Sequence, residues 1–484
     1  MTLTLLLAWM LPLAAGVAGW LALNPRRRPG WIAAALGHGM VFGLLLAGAA
    51  TALFARADTA HALVHAGPWL ALFTAVAASV AWRRGRALQQ APVFAHGQEV
   101  DKWKSALLAL AVASLLWRSW IALREILLRP TFPWDAWDAW AVKSKVWFLL
   151  GHYAPFVSMH DWLMHPLTEN YTGPAWSYPA TLGWIQVWFA SAAGAWIEPL
   201  LNLPWFALWL GLLLGHYGQW RALGFGRMRA LAFVYFLGSL PLVVVHVALA
   251  GYADLWIATV FGFAVLAWLR WVRWREPSQL AIAAICALLL PMLKLEGAVW
   301  LLLFICVAVF AALPRRWRRY AAAAVLALAV LGVAIGRLSL PLFGLGWVNI
   351  GVHAIDVPVI GRLAIGWHAA AFQGVLYSLF AQPNWHLLWW LAPAIVFWRW
   401  SELRAHASLR MLGTLLLAGF GFLLFLFLFT DAARWAESFT AINRLVMHLT
   451  PAVVTLLAML CRDVDLYPAA VDTAPASARP PDPA

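Results

Sequence analysis

Two aspartates lie close together in the aromatic stretch FPWDAWDAWAVKSKVWF, residues 132–148. Asp135 and Asp138 are three residues apart, so their carboxylates would share one face of an α-helix. Carboxylates suit general-base chemistry on a hydroxyl or an amine. The alternative is an interfacial helix whose tryptophans lie among lipid headgroups while its charged residues face water. The other polar residues of the chain must decide between these two interpretations.

Later apolar segments also begin or end with charged residues. Asp254 opens the segment DLWIATV, where a plain helix cap, favoured by about 0.3–1 kcal/mol, is the alternative to a functional role. Lys294 and Glu296 lie in the break KLEG between two apolar runs, where mutual pairing is the alternative to substrate binding. Arg444 and His448 are four residues apart and share a helix face. The candidate substrate-binding residues are Lys143, Lys145, His165, Glu169, Tyr178, Asp254, Lys294, Glu296, Arg444 and His448.

These residues combine three kinds of chemistry. Carboxylates accept protons, cations stabilise a phosphate leaving group, and aromatic faces suit a sugar ring or a lipid chain. A lipid-linked phosphosugar would use all three. No metal site is specified by spacing, and a divalent cation held by Asp135 and Asp138 stays an open alternative. The cysteines Cys286, Cys306 and Cys461 lie in or beside apolar runs without paired spacing, so they predict neither a disulfide nor a metal framework.

The composition places these residues in a membrane protein. Of the 484 residues, 64% are hydrophobic and only 11% are charged, whereas soluble domains carry about 25% charged residues. The net charge is +14, but the arginines fall in short clusters between apolar runs. That pattern is typical of cytoplasmic loops and argues against nucleic acid as a partner.

Apolar runs of about 18 residues or more predict about 13 membrane spans in an all-α polytopic bundle. The spans are predicted near 2–23, 31–55, 61–82, 104–128, 200–219, 230–250, 254–270, 279–293, 297–313, 321–342, 385–400, 411–430 and 444–461. The chain then divides into N-terminal transmembrane helices (1–128), a first outer loop with the catalytic stretch and a re-entrant segment (129–199), a central transmembrane bundle (200–342), a second outer loop (343–384), C-terminal transmembrane helices (385–461) and a disordered cytoplasmic tail (462–484).

The basic clusters also predict the orientation of the chain. They mark the cytoplasmic side, which puts the N-terminus outside, the C-terminus inside and the aspartate stretch on the outer face. The segment 176–196 is apolar enough to span, but a span there would reverse the orientation of everything after it. We therefore predict that it is re-entrant or interfacial, since such backbone is tolerated where it lines a cavity in the protein.

Four stretches, WDAWDAWAVKSKVWF, SYPATLGWIQVW, GYADLWIA and LPMLKLEGAVWLL, together resemble the GT-C superfamily of integral membrane glycosyltransferases. This group includes protein O-mannosyltransferases and the lipid A aminoarabinose transferase. The resemblance implies a GT-C-like fold in a bacterial inner membrane, with the active site facing the periplasm. It also implies a polyprenyl-phosphate-sugar donor, a glycan, lipid or protein acceptor, and an inverting transfer.

The same resemblance implies roles for individual residues. The catalytic aspartate would be in the first outer loop, with Asp135 preferred over Asp138. The lipid phosphate would be held by basic residues, for which Lys294, Arg444 and Lys143 are the candidates. Three apolar spans precede the helix that comes first in the family's layout, so the likeness leaves the N-terminal part of the chain uncovered.

Two other classes of protein stay open. A transporter or flippase of lipid-linked or anionic solutes should carry its charges near mid-bilayer, on broken helices of two related halves. We find no such repeat, and the charges gather at one predicted face. A polysaccharide polymerase or ligase would differ mainly in using a lipid diphosphate donor and a large acceptor.

Overall fold

The computed structural model describes residues 3–87, 102–336, 338–341, 346–358 and 360–461, and the tail predicted at 462–484 lies outside them. The helices of the first half are α1 Leu3–Leu23, α2 Trp31–Phe54, α3 Ala62–Ala87, α4 Lys102–Leu128, α5 Val142–Leu150, α6 Met159–Met164, α7 Thr181–Ala193, α8 Glu198–Ala222, α9 Arg227–Ser239 and α10 Pro241–Ala248. The second half continues with α11 Asp254–Trp274, α12 Pro277–Leu293, α13 Gly297–Ala312, α14 Arg315–Ala334, α15 Ala369–Leu376, α16 Leu388–Trp398, α17 Trp400–Ala405, α18 Ala407–Phe429, α19 Ala433–Glu437 and α20 Ile442–Leu460.

Eight helices of the described chain are long and apolar enough to cross a membrane, and they make the protein a polytopic helical bundle. They are α1, α2, α3, α4, α8, α11, α18 and α20. The shortest, α20, has 19 residues, which at 1.5 Å per residue gives about 28 Å, close to the thickness of a bilayer core. The helices α9 and α10 meet at a bend of 60° and would make a ninth span if counted as one.

The number of spans is therefore smaller than the predicted 13. The runs at 279–293, 297–313 and 385–400 form the helices α12, α13 and α16, which have 17, 16 and 11 residues. Each is too short to count as a full span on its length alone. The predicted runs at 279–293 and 297–313 already end and begin at the polar turn between α12 and α13, so the difference arises from counting such short runs as spans.

The segment 176–196 contains a helix that is too short to count as a candidate span. Only Thr181–Ala193 is helical, and these 13 residues are almost all buried, which corresponds to a length of about 20 Å. The helix α7 packs against α2, inside the bundle. Its shortness agrees with the non-spanning interpretation of this apolar run.

A small β-sheet lies where the sequence predicts only a helix end and an outer loop. The strands β1 Leu338–Pro341, β2 Trp347–Ile350, β3 Ala354–Val357 and β4 Gly361–Ala364 form an antiparallel meander in this order. Its register pairs Leu338 with Ile350 and Ile355 with Leu363. The strands have four residues each, β1 and β4 are mostly exposed, and only Ala354 and Leu363 are buried, so the sheet lacks the buried apolar face by which sheets are recognised from sequence.

Two helices, α11 and α20, form the centre of the bundle, and they pack against each other. In both, about nine tenths of the membrane-length window is buried by protein. Elsewhere glycines allow close helix contacts: a Cβ added to Gly37 of α2 would lie 2.1 Å from the backbone nitrogen of Gly215 in α8. Such contacts replace the hydrophobic driving force that helices lack among lipid chains.

The far end of α11 carries a buried ion cluster, here named the Glu276 cluster (Arg28, Gln219, Arg270 and Glu276). The Arg270 side chain donates to Oε2 of Glu276 at 3.1 Å and to Oε1 of Gln219 at 3.0 Å. Arg28 donates to the other oxygen of Glu276 at 2.6 Å. The cluster ties the end of α1 to α8, α11 and α12, so it fixes one end of the central helix.

Candidate functional site

Six of the predicted site residues meet at the opposite end of α11. We name this group the Asp254 cluster: Asp135, Asp254, Lys294, Glu296, Arg444 and His448. Each member comes from a helix end. One aspartate follows α4, the other opens α11, the lysine and the glutamate form the turn between α12 and α13, and the arginine and the histidine lie in the first two turns of α20. The charges are thus gathered at one end of the bundle.

The turn between α12 and α13 depends on a glycine. A Cβ at Gly297 would lie 2.0 Å from the carbonyl oxygen of Leu290, so no other residue fits there without moving the backbone. Because α13 starts this close to the end of α12, Lys294 and Glu296 are both held next to the first turn of α11. The positions of Lys294 and Glu296 are therefore set by the packing of α13 against α12.

Asp254 is the centre of the cluster and is fully buried. Its Oδ1 atom accepts hydrogen bonds from Nζ of Lys294 at 2.8 Å and from Nε2 of His448 at 3.0 Å. Lys294 also lies 3.2 Å from Oε1 of Glu296. Buried charges with several partners of this kind are costly to leave unpaired, at about 3–5 kcal/mol when one partner is removed.

Lys294 lies between two carboxylates. Burial alone would lower its pKa, but the neighbouring carboxylates of Asp254 and Glu296 raise it above the ordinary value of a lysine. The ammonium group therefore stays charged in the folded protein. A fixed buried cation of this kind can stabilise negative charge that develops during a reaction.

Arg444 connects the buried centre to the surface. Its Nη1 atom donates to Oδ2 of Asp135 and lies 3.9 Å from Oδ2 of Asp254. The guanidinium also lies over the ring of Tyr252, 5.3 Å from its centroid. The Arg444 side chain is 22% exposed and that of Asp135 is 35% exposed, so a ligand can reach this ion pair, as it can the 29% exposed side chain of Glu296.

The second aspartate of the aromatic stretch is arranged differently. Residues Ala136–Ala141 form a π-helical turn, so Asp135 and Asp138 do not share the α-helical face that their spacing predicts. Among the described residues Asp138 has neither a hydrogen bond nor an ion pair. Partial burial and, after it, the nearby charge of Asp135 raise the pKa of Asp138 above its ordinary value. Single π-helical turns occur often at functional sites.

Tyr178 lies beside the Asp254 cluster, and Lys143 holds the backbone of Tyr178 in place. Nearby Glu296 and then burial raise the pKa of the Tyr178 hydroxyl, and its ring packs edge-on against Trp140 with centroids 5.4 Å apart. Nζ of Lys143 donates to the carbonyl oxygens of Trp176 at 2.9 Å and of Tyr178 at 2.8 Å. Burial lowers the pKa of Lys143 to about 8. This lysine therefore holds the Tyr178 backbone, and its ammonium does not face the cluster as a phosphate ligand would.

The remaining predicted residues lie away from the Asp254 cluster. Lys145 pairs with Glu198 at 3.6 Å. Glu169 is exposed and accepts a hydrogen bond from His152 at 2.8 Å, which raises the pKa of that histidine. His165 is exposed at the end of α6. These groups lie at the surface of the segment 129–199.

Two residues near the cluster are missing from the sequence-based set. Tyr252 stacks on Arg444, and Trp300 donates from Nε1 to Nδ1 of His448 at 2.9 Å. The spacing of both residues from predicted site residues could have indicated them. Tyr252 is two residues before Asp254, and Trp300 is four residues after Glu296, so it lies on the same face of α13.

No group of three or more histidine, cysteine, aspartate or glutamate side chains in the described chain could hold a metal ion. We therefore assign no ligands to the divalent cation that the sequence leaves open. Comparison with known proteins adds no further assignment, because no protein-family model, curated protein or solved structure matches the chain. The functional argument rests on the geometry of the Asp254 cluster.

Proposed function

We propose that the protein is an integral membrane glycosyltransferase that moves a sugar from a polyprenyl-phosphate-linked donor to an acceptor, with inversion. One observation carries the proposal: the accessible Asp135–Arg444 pair is backed by the buried Asp254 and Lys294 at one end of a membrane bundle. A carboxylate that can accept a proton thus lies next to two cations that can stabilise a phosphate. The position at helix ends suits a donor whose phosphate lies at the membrane surface.

In the proposed reaction, the phosphate of the donor replaces Asp135 as the partner of Arg444. Both are anions that pair well with a guanidinium, so the exchange leaves the charge around Arg444 nearly unchanged. Asp135 is then free to orient the acceptor and take its proton. The acceptor oxygen attacks the anomeric carbon, the bond from that carbon to the phosphate oxygen breaks, and the electron pair leaves with the phosphate.

The buried residues would act mainly through position and charge. Lys294 is held by Asp254 and Glu296, so its charge is available without rearrangement as the phosphate leaves. Phosphate is a competent leaving group, and holding the acceptor in line with it supplies a large part of the rate. Asp138 is the alternative base, because it has no partner in the described chain and its pKa is raised.

The orientation of the membrane protein is part of the proposal. The Glu276 cluster and the arginines around it lie at the end of α11 opposite to the Asp254 cluster. Basic residues favour the cytoplasmic side, which supports an Asp254 cluster on the periplasmic face of a bacterial inner membrane and a cytoplasmic C-terminus.

A transporter of lipid-linked or anionic solutes is the second candidate. The observation that favours it is the presence of buried ion clusters at both ends of α11, together with the bend between α9 and α10. A polymerase or ligase would use the same outer cluster with a diphosphate donor. It therefore differs from our proposal in substrate and not in site.

Incubation of the purified protein with radiolabelled polyprenyl-phosphate hexoses tests the proposal, in parallel with Asp135→Asn and Asp138→Asn. We expect transfer or donor hydrolysis by the wild type and its loss in one variant, which identifies the base. Donor binding without turnover, accompanied by movement of labelled lipid across proteoliposomes, would instead establish a transporter. Turnover of polyprenyl-diphosphate donors alone would assign the polymerase or ligase class.

A further inference from the structure

Trp300 lies in a second layer around Asp254 and takes no direct part in the proposed reaction. Its indole is on the side of His448 that faces away from Asp254, with the two ring planes at 88° and the centroids 5.9 Å apart. The indole Nε1 atom is 2.9 Å from Nδ1 of His448. Both side chains are buried, so this contact is shielded from bulk water.

The contact determines which nitrogen of His448 carries the proton. An indole N–H is a donor only, so Nδ1 of His448 must accept and is unprotonated. The ring proton is then on Nε2, which lies 3.0 Å from Oδ1 of Asp254. A directed chain of hydrogen bonds therefore runs from Trp300 through His448 to Asp254.

This chain also sets the orientation of the Asp254 carboxylate. Oδ1 accepts from both His448 and Lys294. Oδ2 has no hydrogen-bond partner among the described residues and lies 3.9 Å from Nη1 of Arg444. Because Lys294 and His448 both donate to Oδ1, the other oxygen, Oδ2, faces the guanidinium of Arg444.

We propose that Trp300 is a positioning residue. By donating to Nδ1 of His448, it holds the ring with Nε2–H toward Asp254, which fixes Asp254 so that Oδ2 faces Arg444 and keeps that guanidinium in place for a phosphate. The tautomer follows from the contacts alone. The consequence for transfer rests on the proposed function, so the two parts need separate measurements.

The chain offers matched variants. Trp300→Phe removes the indole N–H and keeps an aromatic ring in the core. Trp209→Phe is the control, because Trp209 is also fully buried but its Nε1 atom has no partner in the described chain. His448→Gln is the conservative variant, because an amide nitrogen can still donate to Asp254 while the amide oxygen accepts from Trp300.

The first measurement is magic-angle-spinning NMR of the full chain labelled with ¹⁵N-histidine, with the His448 signals assigned by their loss in His448→Gln. We expect one tautomer in the wild type, with an unprotonated Nδ1, and the same spectrum in Trp209→Phe. In Trp300→Phe the Nδ1 signal of His448 should shift, because that atom loses its hydrogen-bond donor, while the Nε2 proton stays toward Asp254. A wild type with the proton on Nδ1, or a Trp300→Phe spectrum identical to that of the wild type, would overturn the assignment.

The second measurement is glycosyl transfer by the same variants. Loss of one hydrogen bond in the chain should lower kcat by roughly tenfold in Trp300→Phe, with little change in Trp209→Phe and substantial retention in His448→Gln. Equal activity of Trp300→Phe and the wild type would overturn the positioning role. If the NMR result is as expected but no enzyme form transfers sugar, the tautomer assignment holds and the proposed glycosyltransferase function is wrong.

Discussion

The Nη1 atom of Arg444 lies 3.9 Å from Oδ2 of Asp254, and the same atom contacts the carboxylate of Asp135. One guanidinium therefore joins a fully buried aspartate to a partly exposed one. Asp254 is fixed by two further donors, whereas Asp135 has Arg444 as its only side-chain partner among the described residues. If a ligand displaces one of the two aspartates from Arg444, it is Asp135.

The affinity for a phosphate should increase when Asp135 is neutralised. Asp135→Asn removes the carboxylate that competes for Arg444, so the dissociation constant of a short-chain alkyl phosphate should fall by roughly tenfold. Transfer should be lost in the same variant if Asp135 is the base. Isothermal titration calorimetry in detergent measures the affinity, with the matching alkyl alcohol as ligand control and Asp138→Asn as protein control. An unchanged affinity would show that phosphate does not take the place of Asp135.

Stability should depend strongly on the pairing of Asp254 with Lys294. Asp254→Asn leaves a buried ammonium with a single carboxylate neighbour, and the expected loss is about 3–5 kcal/mol of unfolding free energy. The double variant Asp254→Asn/Lys294→Met removes both charges and should be less destabilised than the single variant. Thermal unfolding in detergent, followed by circular dichroism, compares the two. If the double variant is the less stable one, the two residues do not form the coupled buried pair described here.

The sequence predicts that all members of the Asp254 cluster lie at helix ends on one face of the bundle. It predicts the same face for Lys145, His165 and Glu169, which lie elsewhere, so the sequence alone did not predict which of these residues meet. Among the partners within the cluster, only the pairing of Lys294 with Glu296 was one of the sequence-based alternatives. Contact between Asp135 and Arg444 joins positions 309 residues apart, and the pattern of apolar residues carries no information on such a pairing.

Other parts of the fold depend on effects that composition does not show. The sequence predicts two spans here, at 279–293 and 297–313. In the structure they are two short helices that meet at a close-packed turn at Gly297. Lys143 reads as a free cation in an aromatic loop, but two backbone carbonyls bind its ammonium inside the protein. The strands β1 and β4 are exposed at three of their four positions and only one residue each in β3 and β4 is buried, so their sequence lacks the alternating pattern of a half-buried sheet.

Lys143 should make the stability of the protein rise with pH. Burial lowers its pKa from 10.5 to about 8 in the folded state, so between these values the unfolded chain binds more protons than the folded one. Stability therefore increases with pH in this window. The free energy of unfolding of the wild type relative to Lys143→Met should rise from pH 8 to pH 10, by at most about 3 kcal/mol.

Chemical unfolding at a series of pH values measures this difference. Lys145→Met is the matched control, because its side chain is half exposed and pairs with Glu198 on the surface. That control should show no comparable rise. A difference between wild type and Lys143→Met that is flat or falls with pH would contradict the burial of an uncompensated lysine at this position.

Glu276 offers a test that separates the enzyme from the transporter. It is the only acidic partner of Arg28 and Arg270 among the described residues and also lies 3.8 Å from Arg26. Glu276→Gln should cost about 3–5 kcal/mol of stability, because these arginines lose their counter-charge. The Glu276 cluster lies about 30 Å along α11 from the Asp254 cluster, given 21 residues in the helix.

In a glycosyltransferase with its chemistry at Asp135, the fraction of Glu276→Gln that stays folded at low temperature should transfer sugar with near-normal kcat. In a transporter with ion clusters at both ends of its path, the same folded fraction should lose movement of lipid in proteoliposomes. Assaying the variant at about 10 °C, with folding checked by size-exclusion chromatography, therefore distinguishes the two functions from one preparation.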